Sequence, residues 1–67
     1  MTGRDLKKLR ERMRMSSVGL GRALGYQGNV NSVRVTIRRY ETDRQEIPRH
    51  IIERVRTIAQ ARGVEIV

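Results

Sequence analysis

The sequence predicts an all-α domain of four helices with a helix-turn-helix at its centre. Three observations carry that expectation. Apolar residues recur at three- and four-residue spacings in four separate segments. Residues suited to helix starts and stops punctuate those segments, among them Thr2, Gly25, Asp43, Pro48 and Gly63. The chain has 67 residues, which is one domain, with no Cys and one His. A domain this small buries only about 60 % of the surface its unfolded chain exposes. Disulfides and thiolate metal sites are unavailable to make up the difference. A compact helical core supported by self-association is therefore expected, with no metal and no cofactor.

The first helix is expected over residues 3–14. Thr2 can accept from the Asp5 amide while Asp5 reaches back, a capping box. Leu6, Leu9 and Met13 then form one stripe, and Lys7, Lys8, Arg10, Glu11, Arg12 and Arg14 occupy the other faces. The second helix is expected over 17–24, with Ser16 or Ser17 as N-cap and Leu20, Ala23 and Leu24 as its apolar face. Gly25 ends it in the left-handed conformation. Gly19 and Gly21 each cost ~1 kcal/mol relative to Ala in a helix, which suits a place where backbones approach closely.

"GYQGN" reads as a turn, and Asn29 or Asn31 caps the next helix. In residues 30–41, Val30, Val33, Ile37 and Tyr40 share one sector and are expected in the core. Asn31, Arg34, Val35 and Arg38, with Ser32 and Arg39 at the margin, face the other way. "ETDRQEIP" is a polar loop, in which Asp43 tolerates the left-handed region better than most non-glycines. Pro48 suits a first helical position, and the fourth helix is expected over 48–62 with Ile51, Ile52, Val55, Ile58 and Ala59 as its stripe. The β-prone tail "VEIV" is either frayed or used in self-association.

The charge is +8, from 15 Lys+Arg against 7 Asp+Glu. The pI near 11.5 exceeds the value of about 9 that flags a basic nucleic-acid-binding domain. Such a balance selects acidic partners: nucleic acid, an anionic membrane surface or an acidic protein. Basic residues are spread along the chain, which excludes a basic tail on a neutral domain. No apolar run approaches the ~18 residues of a membrane span. Residues 1–14 are charged throughout, so no signal peptide is expected, and the lack of Cys fits a reducing cytoplasm.

The second and third segments joined by a tight turn have the ingredients of a helix-turn-helix. The outer face of the third must then fit a major groove ~12 Å wide and offer donors to base edges. Asn31, Arg34 and Arg38 meet that need, since Arg grips guanine and Asn adenine bidentately. Val35 is either a contact for a thymine methyl or an ordinary exposed valine. Candidates for phosphate contact are Ser16, Ser17, Gln27, Asn29, Ser32, Arg39 and Lys7. The bland readings are N-capping for the serines and a solvated face for Lys7, Lys8, Arg10 and Arg12. Arg39 has Glu41 within local reach. Glu41, Asp43 and Glu46 surround Arg44 and read as ion-paired or solvated rather than as an acid/base site. With no nucleophile–base pair and an isolated His50, no enzymatic activity is expected.

"MSSVGLGRALG" resembles the second helix of the phage repressor and Cro-like (XRE-type) helix-turn-helix proteins, and "TIRRYETDR" resembles the end of their recognition helix. The matching positions are Ser16, Leu20, Gly21, Leu24, Gly25, Ile37, Arg39, Tyr40 and Glu41. Two departures stand out: about six extra residues between Gly25 and Tyr40, and Asp43 where the family has glycine. The resemblance implies a lambda-repressor-like fold, and in it the counterpart of Arg39 often bonds within the fold. The minimal size also resembles the small anti-CRISPR-associated regulators of phages and mobile elements, which repress their own operon. That implies a location in the bacterial cytoplasm and no small-molecule effector.

The expected function is a DNA-binding transcriptional regulator, a repressor that binds an inverted repeat as a homodimer. Ile51, Ile52, Val55, Val64, Ile66 and Val67 are the expected dimer surface. Binding of RNA is the weaker alternative, because Tyr26 and Tyr40 are the only aromatic residues available for base stacking. Capture of an acidic protein partner is the other.

Overall fold

A computed structural model describes residues 1–65. The described residues form four α-helices and no strand: α1 (Gly3–Arg12), α2 (Ser17–Ala23), α3 (Val30–Glu41) and α4 (Arg49–Ala61). The all-α, four-helix class expected from the sequence is therefore the class observed. Each start has a local cause. Thr2 and Asp5 close the capping box, with Thr2 N donating to Asp5 Oδ2 at 3.0 Å and Asp5 N to Thr2 Oγ1 at 3.1 Å. That bonding holds the Asp5 carboxyl below its ordinary range. Ser16 accepts from Gly19 N at 2.9 Å, and Asn29 accepts from Ser32 N at 2.8 Å. At α4, Pro48 is the N-cap and not the first helical residue, and it makes no side-chain cap bond.

All four described helices end alike. Arg14, Gly25, Asp43 and Gly63 take positive φ, and the residue after each folds back onto the last turn. Met15 N, Tyr26 N, Arg44 N and Val64 N donate to Arg10, Gly21, Arg39 and Ala59 carbonyls at 3.2, 3.0, 3.0 and 2.9 Å. This is the Schellman arrangement. Arg14, at φ 56°, stops α1 two residues before the expected end at residue 14. Arg54 of α4 and its C-cap Arg62 supplement the stops. Arg62 donates to Met13 O at 3.2 Å and Arg54 to Leu24 O at 2.7 Å, so cations neutralise the carbonyl ends of α1 and α2.

The core joins Leu6, Leu9 and Met13 to Leu20, Leu24, Ile37, Tyr40, Ile47, Ile51, Val55 and Ala59. Gly21 is where α2 and α3 meet most closely: a Cβ there would overlap Val33 Cγ1. Gly19 makes no such approach, since its Cβ direction meets only Ser16 Oγ at 3.1 Å. Gly3 is buried, and a Cβ on it would overlap the Tyr40 and Glu41 carbonyls, so the start of α1 sits directly on the end of α3. Gly3 N donates to Asp43 Oδ1 at 2.9 Å across that junction.

Several expected placements are corrected. Val30 is 48 % exposed, because it lies one turn before the Gly21–Val33 contact. Ala23 is exposed. Ile51 and Val55 are 3 % and 0 % exposed inside a single chain, so they cannot form the dimer surface expected of them. Ile52 and Val64 are partly buried against the core, and Ile66 and Val67, also expected at that surface, lie outside the described residues. No helix among the described residues is long and apolar enough to cross a membrane.

Candidate nucleic-acid interface

The position of α3 follows from its two faces. Val33, Ile37 and Tyr40 are 1 %, 0 % and 3 % exposed and fix the inner side against the rest of the domain. The same 3.6-residue period turns Asn31, Arg34, Val35 and Arg38 outward, and all four are exposed. Val35 is 38 % exposed. From Asn31 to Arg38 is seven steps of ~1.5 Å, about 10 Å along the axis. That matches about three base pairs of duplex at ~3.4 Å each.

The last turn of α3 is anchored by charge. Glu41 accepts from Arg10 Nε at 2.6 Å and from Nη2 at 3.3 Å, with side-chain exposures of 7 % for Glu41 and 16 % for Arg10. Arg10 Nη1 also donates to Met15 O at 3.0 Å. The pairing with Glu41 raises the Arg10 pKa. Glu41 thus serves α1 and not Arg39, and Arg10 is paired rather than on the solvated face expected of it. Beside this pair, Tyr26 and Tyr40 share a hydroxyl–hydroxyl hydrogen bond of 2.7 Å with rings 6.4 Å apart. Burial and that bond push the Tyr26 hydroxyl pKa well above its ordinary value.

Some of the cations are engaged within the fold and others are not. Arg10, Arg54 and Arg62 hold the fold as described, and Arg22 donates to Gly28 O at 2.8 Å, bracing the turn before α3. Arg34, Arg38 and Arg39 are exposed and make no ion pair or side-chain hydrogen bond among the described residues. The outer side of α3 carries no acidic residue before Glu41.

The remaining expected contacts fall in different places. Ser32 is exposed in the first turn of α3, Gln27 and Asn29 are exposed in the turn before it, and Lys7 is exposed on α1. The acceptor oxygen of Asn29 is engaged by Ser32 N, which leaves its amide NH2 for an outside acceptor. Ser16 is exposed with its oxygen engaged as a cap, and Ser17 is partly buried.

Sequence reasoning missed two neighbours. Thr42 and Arg44 join Val35, Arg38 and Arg39 around an open depression at the C-terminal end of α3. The signal for Arg44 was present: a residue following a left-handed helix stop folds back over the helix. Among the described residues no three His, Cys, Asp or Glu side chains converge as metal ligands do. Searches against protein-family models, curated proteins and solved structures found no match for this chain.

Proposed function

We propose that this protein is a sequence-specific DNA-binding transcriptional regulator. In this reading α2, the turn 24–29 and α3 act as a helix-turn-helix of the phage repressor and Cro-like type, and α3 is the helix that enters the major groove. The observation that carries the reading is the outer side of α3, which gathers Arg34, Arg38 and Arg39 on one exposed face. Among the described residues the α3 arginines are left without partners, beside Asn31, on a face about 10 Å long from Asn31 to Arg38 with no acidic group before Glu41. Arg34, Arg38 and Asn31 read base edges, and Val35 meets a thymine methyl. Arg39, Arg44, Ser32, Gln27, Asn29 and Lys7 meet phosphates, which set register without reading sequence.

One such helix covers few base pairs, so the functional unit is a homodimer on an inverted repeat with half-sites about 34 Å apart. Occupying a promoter in this way blocks polymerase, which makes the protein a repressor, in this reading one that represses its own anti-CRISPR-type operon in the bacterial cytoplasm. No cofactor and no catalytic step are involved. The test is selection of bound sequences from random duplex DNA. The expected result is an inverted repeat with half-sites one helical turn apart. Recovery of no common sequence, or tighter binding to RNA or to an acidic protein, would overturn the proposal.

A further inference from the structure

The fold buries two of the residues first expected to join protomers, so the second copy has to meet another surface. A groove runs between α1, α4 and the residues after α4, with the exposed Met1 in its lining. Its charged lining is Asp5, Glu11 and Glu65 together with Lys8, Arg12 and Arg56, three acids against three bases. None of the six forms an ion pair within the chain among the described residues. Elsewhere the molecule is strongly basic, because the side chains of the whole chain carry +8 while those of this groove sum to zero.

We propose that this groove is where a second copy of the chain docks. Two identical surfaces that meet about a two-fold axis must be complementary to themselves. A face of one sign meets its own charge and is repelled, which disfavours association through the outer face of α3. A face with equal numbers of both signs can set each acid against a base of the other copy. On α1 the groove flank, with Asp5, Lys8 and Arg12, lies across the helix from the flank where Gly3 and Arg10 meet α3. Pairing here therefore leaves both α3 helices uncovered. The homodimer required by the proposed function is thereby given its surface, and the inference rests on that reading only for the need of a pair.

The experiment uses two charge-reversed variants of the full chain, Lys8→Glu with Arg56→Glu, and Glu11→Lys with Glu65→Lys. All four side chains are exposed, and circular dichroism verifies the fold. Sedimentation equilibrium is expected to give a dimer for the unaltered protein and at least ~100-fold weaker self-association for each variant. An equimolar mixture of the two variants is expected to regain the dimer. On the unaltered protein, amide shifts that change on dilution should map to residues 5–12 and 56–65. A monomeric unaltered protein, a dimer that survives both reversals, a mixture that stays monomeric, or dilution shifts centred on α3 would each overturn the inference. Binding to the selected duplex is scored separately. A dimer through this groove that binds no DNA sinks the function alone, and an operator-binding dimer indifferent to these charges sinks the groove alone.

Discussion

Removing Glu41 should destabilise this domain more than removing any other acidic side chain. In Glu41→Ala the Arg10 guanidinium loses both of its carboxylate bonds yet stays tied to Met15 O in a site where its side chain is 16 % exposed. Breaking a fully buried ion pair costs about 3–5 kcal/mol, because the remaining charge is left uncompensated. Arg10 retains some access to water and can extend its head toward it, which brings the expected cost to roughly 2–3 kcal/mol. For a domain of 60–100 residues each kcal/mol shifts Tm by about 4–8 °C, so a fall of roughly 10–20 °C is expected. Thermal unfolding followed by circular dichroism measures it. The shift should persist at about 1 M salt, since a shielded pair is screened far less than a surface one. Replacing both partners, Arg10→Met with Glu41→Leu, should recover most of the loss, less about 1 kcal/mol for the unpaired Met15 carbonyl. A Glu41→Ala protein within ~0.5 kcal/mol of the unaltered one would refute the reasoning.

Two further outcomes follow from the same junction. Gly3→Ala should cost about 1–3 kcal/mol in chemical denaturation, since its Cβ meets the Tyr40 and Glu41 carbonyls and backbone cannot step aside as a side chain can. Stability should also fall as pH rises above about 10. The Tyr26 hydroxyl has a folded pKa above its ordinary value, so the folded state holds that proton more tightly. Its contribution is complete below the unfolded pKa near 10 and is lost as the pH climbs toward the folded value. Urea midpoints between about pH 9 and 11 measure the decline, and Tyr26→Phe should flatten it.

What the sequence made legible was whatever depends on local periodicity and on single stop residues. The stripe of α1, that of α3 apart from Val30, the caps at Thr2 and Asn29, and the left-handed stops at Gly25, Asp43 and Gly63 are all local, and the structure has them. Arg14 was missed as a stop because nothing local marks an arginine for positive φ. Ile47 was missed as core because it follows six polar or charged residues in a loop. Asp43 at the α3 stop also has a tertiary role. Its carboxylate accepts from Gly3 N, a bond between the ends of α3 and α1 that glycine could not make.

The candidate interface was legible in part for the same reason. Outward placement of Asn31, Arg34, Val35 and Arg38 follows from the period of one helix. Which arginines are already engaged does not, because Arg10–Glu41, Arg54–Leu24 and Arg62–Met13 span 30 or more residues. Counting charge therefore overstated the cations available on α1. It also had no means of separating Ile51 and Val55, which face the core, from the half-buried Ile52 beside them.

The most direct test of the central claim is the salt dependence of duplex binding for the unaltered protein and for Arg34→Ala and Arg38→Ala. Fluorescence anisotropy with a selected duplex should give a steep log–log slope, about −0.9 per phosphate neutralised. Each substitution should cost about 1–3 kcal/mol and relax the preference at one base position, without lowering Tm. A flat salt response, or variants that bind the duplex as tightly and selectively as the unaltered protein, would contradict the assignment of α3 as the reading helix.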